Sequence, residues 1–120
     1  MEVNDAVLAL SGLAQETRLA IFRHLVQVGP EGESAGGLAE RFKLPAATLS
    51  FHVSQLCQCG LLRARRSGRN ILYMADYEGM NRLMTFLTDN CCGGNEELCG
   101  SGRSPKEPDT LEVSPTEIDR

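Results

Sequence analysis

The chain has 120 residues, 42% of them hydrophobic, and a formal net charge of -4. This length allows a single domain with a modest core and is short for a typical α/β enzyme. The sequence has no long apolar run and no secretory signal at its acidic start, so we expect a cytoplasmic protein without a membrane span. It also lacks a nucleophile triad, a carboxylate pair or a phosphate-cradling glycine loop. A small binding module, not an enzyme, is therefore the favoured class.

Positive charge is concentrated in the middle of this acidic chain. Residues 41–75 contain no Asp or Glu, and they carry six basic side chains: Arg41, Lys43, Arg63, Arg65, Arg66 and Arg69. Salt screens charges over a distance of about 10 Å, so the local field matters more to a phosphate than the net charge does. This stretch is a candidate for binding nucleic acid.

Hydrophobic periodicity predicts a mostly helical domain over residues 1–90. Val3, Val7 and Leu10 form a first short stripe, and a second helix is predicted over residues 15–28, with Leu19, Phe22, Leu25 and Val26 on one side. Residues 31–37 are predicted to form a loop. Two short helices follow over residues 38–44 and 46–59, separated by Pro45 and ended by Gly60. Such a tight joint between short helices is typical of a helix-turn-helix.

The C-terminal half begins with a predicted β-hairpin over residues 61–74 around a Ser-Gly turn. We expect the positive charge at its tip to contact a sugar-phosphate backbone; the alternative is a solvated tip. Asp76 can cap a last helix over residues 77–90, whose apolar arc is wide enough to predict a subunit interface. Residues 100–120 are rich in Gly, Pro and Ser and are predicted to be a disordered tail. The candidate backbone contacts in the hairpin are Arg65, Arg66 and Arg69.

The predicted helix over residues 46–59 has two different sides. Leu49, Val53 and Leu56 fall on one side, which we expect to be buried. The other side is small and polar and carries no carboxylate, which fits insertion into the major groove of DNA. The candidate contacts to DNA are Thr48, Ser50, His52 and Gln55. For His52 the alternative is a structural hydrogen bond.

Three segments resemble the ArsR/SmtB family of metalloregulators. The second-helix signature is matched by LAQETRLAIFRHL at residues 13–25, the recognition helix by PAATLSFHVSQL at residues 45–56 with Gly60-Leu61-Leu62, and the wing by RSGRNILY at residues 66–73. The resemblance covers about residues 5–90. It implies a winged helix-turn-helix repressor that forms a homodimer through its first and last helices. It further implies release from operator DNA when a metal or metalloid binds.

Two metal sites common in that family have no counterpart here. Where arsenic repressors carry Cys-Val-Cys before the third helix, this chain has Ser34-Ala35-Gly36. The zinc-type site needs histidine on the last helix, but the two histidines, His24 and His52, lie elsewhere. Pro45 also replaces the serine usual at the start of the recognition helix.

Three cysteines, Cys91, Cys92 and Cys99, follow the last predicted helix within a segment over residues 91–99. Trivalent arsenic is soft and binds three thiolates in a pyramid, whereas zinc needs a fourth ligand. Gly93-Gly94 lets the chain reverse, and the spacer to Cys99 spans up to about 20 Å. The cluster resembles a C-terminal arsenic site of some family members. We therefore predict that As(III) is the inducer, with Sb(III) or methylated arsenite as related ligands.

Other interpretations of the cysteines stay open at this point. Cys57 and Cys59 point about 200° apart on one helix, so packing in or beside the core is favoured over metal binding. The three C-terminal cysteines could be incidental, or they could form a disulfide in a redox-sensing repressor. A third hypothesis is a metalloid-sequestering protein that does not bind DNA.

Overall fold

The computed structural model describes residues 1–89 and Gly93. The chain divides into two units, Met1–Leu87 and Thr88–Arg120, and the five helices and three strands of the described residues lie in the first. Cys91, Cys92 and Cys99 and the predicted tail over residues 100–120 lie outside the described residues. Among the described helices, none is long and apolar enough to cross a membrane.

The order of the elements is that of a winged helix-turn-helix, as predicted. The predicted hairpin is part of a three-stranded antiparallel sheet with strand order β1-β3-β2. The elements are α1 (Val3–Leu13), α2 (Glu16–Val28), β1 (Glu33–Ser34), α3 (Ala35–Phe42), α4 (Ala46–Gln58), β2 (Leu62–Ser67), β3 (Asn70–Ala75) and α5 (Tyr77–Leu87).

Side-chain caps and glycines set most helix boundaries. The side-chain carbonyl of Gln15 accepts a hydrogen bond of 2.8 Å from the backbone N–H of Arg18 and begins α2. Gly29 follows α2 with a φ of 101°, a conformation that favours glycine. Asp76 begins α5 by accepting a 3.0 Å bond from the N–H of Gly79, as its position predicted.

The prediction of a loop over residues 31–37 was wrong. Glu33 and Ser34 pair with Tyr73 and Leu72 of the wing as a third strand. The Ser34 hydroxyl then accepts a 3.0 Å hydrogen bond from the N–H of Gly37, and α3 begins at Ala35. Two consecutive glycines in the first turn have low helix propensity, so the sequence did not predict that the helix begins this early. The serine cap stabilises its start.

The apolar stripe predicted for α1 faces outward. The buried residues of α1 are Ala6, Ala9 and Gly12, while its large aliphatic residues are exposed, Val3 at 63% and Leu8 at 58%. Small residues let α1 approach the rest of the domain closely. Ser11-Gly12, which we expected to break the stripe, does not interrupt α1: Gly12 lies inside the helix, against Cys59.

Two other helices also differ in detail from the prediction. In α2 the buried residues include Ile21, whereas Leu19 is exposed. The last helix ends at Leu87, earlier than the predicted residue 90. Within α5, Met80 packs against the core of its own subunit, while Leu87 is exposed.

Candidate nucleic-acid interface

Helix α4 is held by one apolar side, which fixes what its other side presents. Leu49, Val53 and Leu56 are buried in the core, as predicted. Pro45 stands at the N-cap without a side-chain hydrogen bond, so packing and not a cap anchors the start of this helix. Five of the exposed residues of this helix, which we call the outer face of α4, are Ala47, Thr48, Ser50, Phe51 and Ser54.

The four α4 residues predicted to contact DNA differ in exposure. Thr48 and Ser50 are exposed on the outer face, and Gln55 and His52 are half-buried beside it. Hydroxyl and amide groups can donate and accept hydrogen bonds at base edges, so this side of α4 offers uncharged readers of the major groove. Their contact with DNA stays a prediction.

The wing consists of strands β2 and β3, and its pleat places two of the predicted basic residues on opposite faces of the sheet. Arg65 lies opposite Leu72 and Arg66 lies opposite Ile71 in the antiparallel register. Adjacent residues of a strand point to opposite faces of the sheet, so Arg65 and Arg66 do not form one cluster. Arg63, which was not among the candidate backbone contacts of the hairpin, shares the face of Arg65, and strand alternation is the signal that could have added it.

The turn of the wing carries the third predicted arginine. Gly68 has a φ of 62°, and Arg69 follows it in the two-residue connection between β2 and β3. Each of Arg65, Arg66 and Arg69 is exposed, and no ion pair involves any of them within the described residues. The wing thus presents cationic side chains whose charge is not neutralised by the domain itself.

His52 makes the structural hydrogen bond that was the alternative to a DNA contact. Its Nδ1 lies 3.3 Å from an Arg18 guanidinium nitrogen, and Arg18 Nε donates a 2.7 Å bond to the carbonyl of Gly12. Burial and the neighbouring Arg18 charge both lower the pKa of His52. Arg18 therefore connects the end of α1 to α4, a role that periodicity cannot reveal because the partners are distant in sequence.

A second polar group joins α2, β1 and α3. His24 Nε2 lies 2.6 Å from Glu33 Oε1, and Arg41 Nε lies 3.4 Å from Glu33 Oε2. Burial alone would raise the pKa of Glu33, but the hydrogen bond from His24 and the Arg41 charge lower it below its ordinary value. This group holds the strand that supports the wing.

Cys57 and Cys59 pack at the edge of the core, in agreement with the prediction. The thiol of Cys59 donates a 3.4 Å bond to the carbonyl of Leu56. Burial, the largest influence, raises the pKa of both thiols, and each stays protonated in preference to forming a thiolate. Among residues 1–89 and Gly93, no group of three His, Cys, Asp or Glu is placed to hold a metal ion.

Comparisons with known proteins agree with this fold. Residues 13–65 match the protein-family model described as a helix-turn-helix domain. The chain is similar to Mb0332 (fragment 1-100) from Mycobacterium bovis, which is described as a homodimeric winged helix-turn-helix DNA-binding domain and a "possible ArsR-family transcriptional regulator". The two are 25% identical, with a TM-score of 0.61, and the match covers 80% of this chain and 83% of that chain. It is 30% identical to NolR from Sinorhizobium fredii, with coverage of 81% and 86% and a TM-score of 0.57.

The chain belongs to the ArsR family of winged helix-turn-helix regulators. An ArsR-like regulator from Rhodococcus sp. RHA1 shares the fold, with 24% identity, a TM-score of 0.64 and coverage of 83% of this chain and 92% of that chain. No curated protein shows a significant match to the sequence. As an ArsR-family member, the chain is a DNA-binding transcriptional regulator and not an enzyme.

Proposed function

We propose that this ArsR-family regulator is a cytoplasmic, homodimeric repressor that leaves its operator when As(III) binds Cys91, Cys92 and Cys99. The observation that carries the proposal is the donor set, three cysteines within nine residues directly after α5. Three thiolates are the ligands that a soft trivalent metalloid prefers. Sb(III) has the same softness and lone pair, and it should act in the same way.

The state of the other two cysteines supports this assignment. Cys57 and Cys59 are half-buried thiols with raised pKa values, and Cys59 is engaged by the carbonyl of Leu56. Deprotonation, which binding through a thiolate requires, is less favourable for these half-buried thiols than for an unperturbed cysteine. Cys57 and Cys59 are therefore weaker candidate ligands, and the proposal assigns the metalloid to Cys91, Cys92 and Cys99.

Two exposed surfaces support the proposed dimer interface and the proposed contacts with DNA. The aliphatic face of α1, defined as Val3, Val7, Leu8 and Leu10, leaves large apolar side chains exposed that a second subunit can bury. The outer face of α4 and the wing carry the polar and cationic side chains suited to base edges and phosphates. We assign α1 and α5 to the dimer interface and α4 with the wing to the operator.

The coupling between metalloid binding and operator release requires only a modest free energy. Three residues separate Cys91 from Leu87, the last residue of α5, so the proposed ligands follow closely in sequence a helix of the proposed dimer interface. A hundredfold loss of operator affinity needs only about 2.7 kcal/mol of coupling. A shift in how two subunits present their recognition helices can supply this energy, because a dimer binds two half-sites at a fixed spacing.

The deciding experiment is a band-shift of the full chain on DNA from upstream of its gene, with and without arsenite. The variants Cys91→Ser, Cys92→Ser and Cys99→Ser should each bind the DNA but fail to release it, because each loses one soft ligand while nearly keeping side-chain size. Cys57→Ser and Cys59→Ser are the matched controls, and they should respond as the unchanged protein does.

Three outcomes would contradict the proposal. Full induction of Cys99→Ser would limit the site to Cys91 and Cys92, a pair better suited to methylated arsenite. Release by an oxidant in the absence of arsenite would favour the redox-sensing repressor instead. Arsenite binding without any salt-dependent affinity for DNA would favour the metalloid-sequestering protein.

A further inference from the structure

Arg18 links two parts of the domain that have different tasks. At the start of α2, its Nε donates to the carbonyl of Gly12 at 2.7 Å, and its backbone N–H is held by Gln15 at 2.8 Å. These two hydrogen bonds fix the residue at its backbone and its half-buried guanidinium at Nε. Its Nη1 lies 3.3 Å from Nδ1 of His52 on α4.

The chemistry of this contact fixes the state of the imidazole. A guanidinium only donates hydrogen bonds and does not lose its proton in proteins. His52 Nδ1 must therefore accept, and a neutral ring then carries its proton on Nε2. Burial and the Arg18 charge lower the pKa of His52, so both favour the neutral ring.

The position of His52 gives this tautomer a use. Gln55 follows three residues later and Thr48 precedes four residues earlier, so the three side chains are neighbours on one side of the helix. Within the described residues, Nε2 of His52 has no hydrogen-bond partner, while Nδ1 is occupied by Arg18. A half-buried N–H donor is thus left beside the outer face of α4.

We propose that Arg18 is a positioning residue of the DNA-binding surface: it holds His52 as the neutral tautomer with its proton on Nε2, so that α4 presents one N–H donor there to an acceptor on DNA. The inference rests on α4 being the recognition helix, and it does not involve the cysteines. The acceptor is a phosphate oxygen or a purine base edge, both of which take an N–H donor. Arg18 itself does not touch DNA in this proposal.

The first test measures the tautomer in the free protein by ¹⁵N NMR of the histidine rings. In the unchanged chain, Nδ1 of His52 should be unprotonated and Nε2 protonated near pH 7. Arg18→Ala should give a mixture of tautomers and a higher pKa for His52, whereas the His24 ring serves as an internal control. A proton on Nδ1 of His52 in the unchanged chain would overturn the proposal without any DNA measurement.

The second test compares two amides at position 52 on upstream DNA and on an unrelated duplex of equal length. His52→Gln places an amide N–H near the former Nε2, whereas His52→Asn places it near the former Nδ1. We expect His52→Gln to retain most of the affinity and His52→Asn to lose roughly tenfold. Loss on upstream DNA alone identifies a base edge, and equal loss on both duplexes identifies a phosphate. Equal affinity of the two variants would contradict the proposal.

A double-mutant cycle separates positioning from direct contact. If Arg18 acts through His52, Arg18→Ala should weaken binding in the unchanged chain but add little in the His52→Gln background. The same loss in both backgrounds would mean that Arg18 contacts DNA itself, contrary to the proposal. If Arg18→Ala fails to fold, the tautomer of His52 in the unchanged chain and the affinities of the two His52 variants still test the proposal. No step uses arsenite, so these results are independent of the proposed inducer.

Discussion

Helix α1 closely contacts the end of α4, where Gly12 lies against Cys59, the residue that caps α4. The two helices nevertheless expose opposite kinds of surface. The aliphatic face of α1 presents large apolar side chains, whereas the outer face of α4 presents mainly small side chains and hydroxyls. Their inward sides are alike, since both are apolar or small. The inward side of a helix thus indicates only that it packs, while the outward side indicates what the helix binds.

The largest effect should follow removal of the wing charge. Replacing Arg65, Arg66 and Arg69 together with Ala should weaken binding to all duplexes alike and flatten the salt dependence by about one unit for each phosphate that is no longer neutralised. Binding titrations at several salt concentrations measure this slope. Arg23→Ala removes one positive charge from an exposed site on α2 and should leave the slope unchanged, whereas a single substitution of a wing arginine that neutralises a phosphate should lower it.

The pleat of the wing sharpens this prediction. Arg65 and Arg66 lie on opposite faces of the strand, so single substitutions should not share the loss equally. An unchanged slope in the triple variant would remove the wing from the DNA interface and leave α4 alone to bind.

The next effect concerns the aliphatic face of α1. Leu8→Lys should convert the dimer to a monomer, because an unpaired ammonium group would be buried between subunits. Light scattering after size-exclusion chromatography measures the mass. Leu19→Lys, at an exposed position of α2, is the matched control and should remain dimeric. A Leu8→Lys dimer would show that the exposed aliphatic residues of α1 serve another purpose.

A smaller and more selective effect is expected from the side of α4 that we propose to face DNA. Ser50→Ala and Gln55→Ala each remove a side chain that can hydrogen-bond to a base edge. Each should reduce discrimination between upstream DNA and random DNA by about 1 to 3 kcal/mol if that side chain reads a base. Competition band-shifts give this ratio directly. Gln27→Ala on α2 should not change it. If both α4 variants preserve the ratio, the orientation assigned to α4 is wrong.

Sequence reasoning predicted the elements whose signals are local. The helix over residues 46–59 and the hairpin were found because Pro45, Gly60 and the Ser-Gly turn mark their ends, and Asp76 marks the start of α5. The third strand was missed because Glu33 and Ser34 form it only by pairing with distant residues of β3. A strand of two residues has no periodicity of its own.

The polar contacts of the candidate site were harder to predict for the same reason. Arg18 and His52 are separated by 34 positions, and His24 and Glu33 meet across a turn. In α1, the stripe of large apolar residues did not reveal which side packs inward, because the buried residues are the small Ala6, Ala9 and Gly12. The proposed metalloid ligands, Cys91, Cys92 and Cys99, lie outside the described residues and stay a prediction.

The smallest effect tests the contact between the two compared helices. A Cβ added at Gly12 would lie 2.5 Å from the sulfur of Cys59, closer than packed atoms can approach, so Gly12→Ala should destabilise the fold. Overpacking costs about 1 to 3 kcal/mol, and the better helix propensity of Ala returns up to about 1 kcal/mol. Chemical denaturation should therefore show a net loss on the order of 1 kcal/mol.

The sign of this effect should reverse when the sulfur is removed. In a Cys59→Ala background the nearest remaining atoms are the Cys59 Cβ at 3.6 Å and a Leu56 methyl carbon at 3.8 Å, which are ordinary contact distances. The added methyl group then fits, and the helix propensity of Ala alone remains, so Gly12→Ala should stabilise this background. The same loss in both backgrounds would mean that backbone strain, not contact with Cys59, requires glycine there. A gain only in the Cys59→Ala background would identify this thiol as what limits how closely α1 approaches α4.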